Sequence, residues 1–284
     1  MQSLQPESTA QVTCSFNDDS VTLTRGSLSG EHVAMPPHVA IDPRLFHDLS
    51  VYQDVRVDGQ TLYKGERDCA ARWDAIVPHL GTGGVLLDIG SNFGYFGLRW
   101  RERFPTGAVA SVEADVRSAA VQRAVLDANG ADCVKLVTAK ACAGMMRRFE
   151  SRGQRFDAVL LFSILHWIGD HREMLTALGR IAGRMFIEQP DPRECGAGVE
   201  RLRSEIGPIG PYLGRVFPDR SIVHLASWPS HRNTVHPREL WMVCEPAGWE
   251  PTDGVLQPAA LVNLESPWTR WKRAIVRRVR SFGR

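Results

Sequence analysis

Two acids and a run of glycines carry the first chemical signal in this chain. Val85-Leu-Leu leads into Asp88-Ile-Gly90-Ser91-Asn92-Phe-Gly94, and Phe96-Gly-Leu-Arg-Trp-Arg-Glu-Arg-Phe104 follows at once. This order predicts a buried strand, a glycine-rich turn and a helix, and the glycines let the backbone approach a ligand closely. A carboxylate at the strand tip suits an ammonium group and repels a diphosphate. Further on, Gly107-Ala-Val-Ala-Ser-Val-Glu113-Ala114-Asp115 predicts the next strand, again ending in an acid. In a βαβ unit, an acid about 20 residues beyond the glycine turn lies beside a bound nucleoside and accepts from its ribose hydroxyls. Glu113 fits that place. Asp115 suits the N-cap of a helix over residues 116–129.

Gly90, Gly94 and Gly97 also follow, loosely, a dinucleotide-binding pattern. The G-x-G opening is missing, however, and Asp88 has the wrong charge for a pyrophosphate. The segment from Asp88 to Gly94 resembles the first motif of class I S-adenosylmethionine (SAM)-dependent methyltransferases, which bind a cationic methionine moiety. That resemblance implies SAM as cofactor. Asp88, Gly90, Ser91, Asn92 and Gly94 would hold its methionine end, Glu113 its ribose, and Ala114 would lie against the adenine edge. The family often places an acid after the third strand to grip the adenine amine. Here that position reads Thr138-Ala-Lys-Ala-Cys142, with no acid.

The fourth strand, over 156–162, ends in Phe162-Ser163-Ile-Leu-His166-Trp167. Many small-molecule methyltransferases resemble this in having a Leu-His pair there. Ser163 is then a further cofactor-site candidate. His166 would stand near the transferred methyl as a general base for an attacking hydroxyl or amine. Methyl transfer needs mainly in-line positioning, and His166 beside Trp167 also reads as a packing residue. The fifth strand ends at Glu188, which could orient the acceptor or bond to a loop. His231, Arg232 and Asn233 occupy a stretch that commonly lines the acceptor pocket in this fold, where Arg232 could hold a phosphate or carboxylate, although a solvated loop is the favoured reading. Before the glycine turn, Tyr63-Lys-Gly-Glu-Arg67-Asp-Cys-Ala-Ala-Arg-Trp73 resembles a segment of bacterial methyltransferases from cell-surface polysaccharide and other glycan or natural-product clusters. There the arginine approaches the methionine carboxylate or the acceptor, which makes Arg67 a SAM-site candidate. The alternative is an exposed charge beside Glu66 or Asp68. This resemblance covers about residues 50–190.

The elements that must position these residues alternate. Val51-Tyr-Gln-Asp-Val-Arg-Val-Asp-Gly-Gln-Thr-Leu-Tyr63 predicts a hairpin around Asp58-Gly59, and a helix is expected over 66–80. Strands over 85–88, 108–113, 134–137, 156–162 and 184–188 alternate with helices over 96–104, 117–129 and 171–182. Such alternation implies a parallel sheet wrapped by helices. An irregular insert and strands over 221–225 and 239–244 complete it. The family resemblance implies a Rossmann-like, doubly wound, mostly parallel seven-stranded sheet with an antiparallel edge strand. The reading divides the chain into an N-terminal extension or lid (1–80, with a short strand near Val21-Thr-Leu-Thr), the SAM-binding domain (81–260) and a basic tail (261–284).

The composition, 284 residues with 43% hydrophobic and 23% charged, suits a soluble globular protein. No apolar run reaches transmembrane length, and the first residues lack the basic start and apolar stretch of a secretory leader. Six scattered cysteines form no CxxC pair, so no metal site is expected and a cytoplasmic location is. The net charge of +2 is uneven: residues 268–284 hold seven basic residues and no acid, so the rest of the chain is at +2 less seven, or −5. That body is not a nucleic-acid-like surface. In the tail Trp268, Trp271, Ile275, Val279 and Phe282 share a helical face ringed by arginines. Such a helix suits peripheral contact with an anionic inner membrane face, nucleic-acid backbone, or docking on its own domain.

The sequence therefore predicts a SAM-dependent methyltransferase acting on an O- or N-nucleophile of a small molecule or glycan. A nucleic-acid methyltransferase with the basic tail as a clamp is the second reading: Ser163-Ile-Leu-His166 argues against exocyclic-amine DNA enzymes, which carry [DNS]-P-P-[YFW] there, and leaves a capping-type RNA methyltransferase open. A non-catalytic SAM-fold module is the third reading, and the intact Asp88, Gly90, Gly94 and Glu113 set argues against it.

Overall fold

The computed structural model describes residues 13–17, 20–24, 41–47, 49–189, 197–229, 237–261 and 264. His231, Arg232 and Asn233 and the basic tail lie outside the described residues. Two compact units divide after Ala40. In the first, β1 (Thr13–Asn17) and β2 (Ser20–Thr24) pair antiparallel, and β2 covers the strand expected near Val21.

The second unit opens with the expected hairpin, β3 (Val55–Val57) and β4 (Gln60–Tyr63), turning through Asp58 and Gly59 with positive φ. Helix α1 (Cys69–Ile76) starts three residues later than expected. The Asp68 carboxylate accepts from the Ala71 amide and caps it there. The strand–turn–helix core follows: β5 (Val85–Ile89), α2 (Tyr95–Arg103), β6 (Ala108–Glu113), α3 (Val116–Ala128), β7 (Val134–Thr138), α4 (Ala143–Ser151), β8 (Phe156–Phe162), α5 (His171–Ile181) and β9 (Ala182–Gln189). Helix α3 carries the expected Asp115 cap, whose side chain accepts from the Arg117 amide.

The stretch expected as an irregular insert folds in part as α6 (Ala197–Ile206) and α7 (Ile209–Val216). Their Gly- and Pro-rich surroundings hid them, but Pro211 sits in the first turn of α7, where its missing N–H costs nothing. Helix α4 was also unmarked in the sequence. β10 (Ile222–Pro229), β11 (Pro237–Val243) and the short α8 (Pro258–Leu261) complete the described elements.

The seven-stranded sheet runs β10-β11-β9-β8-β5-β6-β7. The five strands from β9 to β7 are parallel, and β11 is antiparallel to both β9 and β10. The antiparallel strand thus lies one place in from the edge. β5 is buried along its whole length, as a strand covered on both faces must be. On one face Leu87, Ile89, Val159 and Ile187 pack with Met146, Phe149, Leu175, Leu178 and Leu213 of α4, α5 and α7. α2 lies over β6 through Gly97, where an added Cβ would meet Val109 at 3.5 Å. Among the described residues no helix is long and apolar enough to cross a membrane. The consequence for function is that β5, β6, β8 and β9 all end on the side where β11 begins. This is the side of an open α/β sheet on which ligands bind.

Candidate functional site

Asp88 stands at the tip of β5, 2% exposed, and its Oδ2 has no hydrogen-bond partner. Burial, and secondarily the charge of Glu113, pushes its carboxyl up to about 7. The turn beyond it is pinned to β6, where the Val112 carbonyl accepts from the Gly90 and Ser91 amides at 2.8 and 3.2 Å. Gly90 has φ 77°, and a Cβ there would collide with the Ile164 side chain. Gly94 has φ 85°, and a Cβ there would meet Gln122 at 2.9 Å. Both positions therefore need glycine. Asn92 adopts φ 50° without being glycine, and strain of this kind concentrates at functional sites. Ser91 is buried and donates from Oγ to Gln122 Oε1 at 2.9 Å.

Glu113 ends β6 with one oxygen accepting from the Asn92 amide at 2.8 Å and the other from the Asp115 amide at 2.7 Å. Burial raises its pKa, and those two amides pull it back. Each oxygen keeps a second lone pair, which leaves capacity for further donors. Next to it Ala114 is exposed and Val116 is 46% exposed, an uncovered apolar flank beside the acid.

A second constellation occupies the ends of β8 and β9 and the start of β11. Glu188 is fully buried, at 0% exposure. Its Oε1 accepts from Ser163 Oγ at 2.6 Å and Arg67 Nη2 at 3.2 Å, its Oε2 accepts from Arg72 Nε, and Arg238 Nη1 lies 3.8 Å away. Ser163 Oγ also accepts from Arg67 Nη2 at 3.0 Å and Arg238 Nη1 at 2.6 Å. Ser163 itself has φ 58°, a left-handed backbone that turns its hydroxyl inward. Arg67 Nε donates to Tyr52 Oη at 2.6 Å. Arg72 Nη1 donates to the Asp68 carbonyl at 2.8 Å, and its guanidinium lies 4.9 Å from the Trp228 ring centroid. Burial pushes the Glu188 carboxyl up, but Arg72, Arg67 and the Ser163 bond outweigh it and hold it below the usual range. Burial lowers the Arg67 pKa against the opposing pull of Glu188.

His166 sits in a 3-10 turn (Leu165–Trp167) directly past β8. Its Nδ1 is 3.4 Å from Gln189 Nε2, its carbonyl accepts from Arg201 Nη2 at 3.2 Å, and its ring centroid is 4.9 Å from that of Trp167. Trp167 is 68% exposed, so His166 packs beside an open aromatic face and not into the core.

The expected residues thus fall into two groups. Asp88, Gly90, Ser91, Asn92, Gly94, Glu113 and Ala114 gather at the tips of β5 and β6. Arg67, Ser163 and Glu188 gather at the tips of β8 and β9. Arg67 is buried against Glu188 and Ser163 rather than being an exposed charge paired with Glu66 or Asp68. Glu188 has partners on both oxygens, so its carboxylate does not face open space. Sequence reasoning missed Arg72, Arg238 and Gln53. Gln53 Oε1 accepts from the Tyr95 amide at 3.3 Å and ties the chain before β3 to the start of α2. Five residues separate Arg67 from Arg72, little more than a helical turn, which is a weak signal. Arg238, 75 residues from Ser163, carried none.

No protein-family model matches the chain, and no curated protein matches it. Solved structures do. The structure of WbdD with the kinase inhibitor LY294002 is similar at a TM-score of 0.55 and 16% identity, covering 71% of this chain and 47% of that one. A second structure, of the bifunctional kinase-methyltransferase WbdD, gives 0.52 and 16%, covering 71% and 45%. The N-terminal domain of EvdMO1 with S-adenosylhomocysteine (SAH) bound gives 0.53 and 15%, covering 75% of this chain and 100% of that domain. The chain thus spans less than half the length of WbdD and all of the EvdMO1 domain. At these identities the likeness is one of fold alone, a Rossmann-like sheet.

Proposed function

We propose that this chain is a SAM-dependent methyltransferase acting on an O- or N-nucleophile of a small molecule or glycan. The observation that carries the reading is Asp88: a buried carboxylate with an unpartnered oxygen, set one residue before a turn that only glycine fits. Such an oxygen calls for a cation, and the methionine ammonium of SAM supplies one. Glu113, with lone pairs to spare, takes the ribose hydroxyls, and Ala114 and Val116 form the apolar flank for the adenine. The WbdD and EvdMO1 likenesses support the same cofactor through fold. When bound, SAM contributes an electrophilic methyl group on a sulfonium.

The rest is done by side chains. The β5 turn fixes one partner, and the crevice over β8, β9 and β11 orients the other, which is the main requirement of an in-line transfer. His166 removes the acceptor's proton. For that, Nδ1 carries the ring hydrogen and donates a hydrogen bond to Gln189, so that Nε2 holds the basic lone pair. A flip of the Gln189 amide presents its oxygen to Nδ1 and provides that arrangement. Arg67, implied by resemblance to serve the cofactor, is locked by Tyr52, Ser163 and Glu188 beside the same crevice. Glu188 serves as the anchor that orients the arginines.

The test is calorimetric titration with SAH, with Asp88→Asn alongside. Micromolar binding that the variant loses supports the proposal and justifies an acceptor screen with labelled SAM. A folded wild type that binds no SAH sinks it.

A further inference from the structure

The cluster at the ends of β8, β9 and β11 exceeds what anchoring a loop requires. Among the described residues it sets three guanidiniums, Arg67, Arg72 and Arg238, all about 5% exposed or less, against the single carboxylate of Glu188. Nη1 of Arg67 is buried with no hydrogen-bond partner. A buried cation without a full complement of acceptors is strongly disfavoured unless a counter-charge arrives. Ser163 Oγ cannot supply more, since it already accepts twice and donates once. Tyr52, Ser163 and Glu188 fix the Arg67 plane, so Nη1 is an open donor whose direction is set in advance.

We propose that this cluster binds an oxyanion, phosphate or carboxylate, carried by the methyl acceptor. Nη1 of Arg67 is its first donor, and Arg72 and Arg238 supply the surrounding positive charge. The inference rests on the reading of the chain as a methyltransferase. Arg67 Nη2 donates to Ser163, just past β8, the strand next to β5, so the outer arginines rather than Nη1 separate this oxyanion from the methionine carboxylate. Glu188 lies on β9, and β8 stands between β9 and β5, which carries Asp88. Two inter-strand steps span about 10 Å. The ammonium and carboxylate of methionine share one α-carbon, so an ammonium held at Asp88 keeps its carboxylate near the β5 turn. Arg72, bonded to Glu188 on β9, and Arg238, on β11, lie beyond that turn, which leaves them for the acceptor. Guanidinium forks match phosphate and carboxylate oxygens in geometry as well as charge.

The experiment titrates inorganic phosphate into wild-type protein, free and saturated with SAH, and then compares glucose with glucose 6-phosphate as probes. The expected result is phosphate binding that survives SAH saturation, with the phosphate ester bound at least tenfold more tightly than the neutral sugar. Arg67→Lys, which keeps the charge but not the fork, should weaken phosphate about tenfold, with a lower thermal midpoint because the buried bonds to Tyr52 and Ser163 are disturbed. Absence of phosphate binding by folded wild type overturns the proposal. So does displacement of phosphate by SAH, which returns the donor to the cofactor's carboxylate. Equal affinity for the two sugars, or rejection of the ester by a protein that binds free phosphate, also overturns it. The wild-type titrations stand even if a variant fails to fold. If SAH does not bind at all, the methyltransferase reading fails by itself, and phosphate binding in its absence still reports on the cluster.

Discussion

The two ends of the crevice handle buried charge in opposite ways. At the β5 and β6 tips, acids are in excess: Asp88 has an oxygen without a partner, and Glu113 is held only by backbone amides. At the β8, β9 and β11 tips, guanidiniums outnumber the carboxylate among the described residues, and Glu188 is saturated. The carboxyl groups report this directly, with Asp88 raised to about 7 and Glu188 held below its ordinary value. Burial pushes both carboxyls up; at Asp88 nothing opposes it, whereas the arginines and Ser163 around Glu188 reverse the sign. An acidic end beside a basic end prepares one crevice for a cation and an anion side by side.

The largest effect is expected from Glu188→Ala. It strands buried guanidiniums around an empty place, and removing one partner of a buried ion pair typically costs about 3–5 kcal/mol. Urea unfolding reads it, and a loss under about 1 kcal/mol would show that water already reaches the cluster.

Asp88→Asn sharpens the acidic end, and its two readouts go in opposite directions. SAH affinity should fall about tenfold or more, since an amide cannot pair with an ammonium. Stability without ligand should rise above pH 7. The sign follows from linkage: the folded carboxyl is pushed up to about 7, against an ordinary value of 3.8, so between those pH values the folded state holds the extra proton. Stability therefore drains away as pH rises through that window, and the penalty is full above pH 7. Asparagine removes the penalty, so the variant should match or exceed wild type at pH 8 and gain nothing near pH 4. Thermal melts at the two pH values check it.

The same group predicts a pH profile for the cofactor. A cation favours ionised Asp88, so SAH affinity should fall by up to tenfold per unit as pH drops below 7, with about one proton released on binding. A flat profile in wild type would remove the ammonium from Asp88. The smallest effect belongs to Trp228→Leu, which strips the ring from Arg72 at the basic end. A loss of about 1 kcal/mol is expected, read by denaturant midpoint, with SAH affinity unchanged.

What could be read from the chain divides along the same line. The acidic end is a local structure. Asp88, the glycine turn and Glu113 fall within 26 residues, and a strand, a turn and a helix position them with little outside help. The basic end is assembled across the chain: Arg67 and Glu188 are 121 residues apart, Arg72 and Glu188 116. Arginines that will be buried look like arginines that will be solvated, so Arg238 carried no mark and Arg72 only its spacing from Arg67. Arg67 drew notice only through resemblance. Helices α6 and α7 were hidden for a related reason, since their weak local propensity is overridden by packing against the sheet.

The sequence by itself determined the alternation of strand and helix, the parallel sheet, and the acids beside the glycine turn, because apolar period and turn chemistry act over a few residues. Only the tertiary structure decided that β11 enters between β9 and β10, and that three arginines converge on Glu188. It also decided that two buried carboxylates in one crevice titrate in opposite directions. Those outcomes depend on which charges the fold brings within a few ångströms in low dielectric, and chain position does not encode that distance.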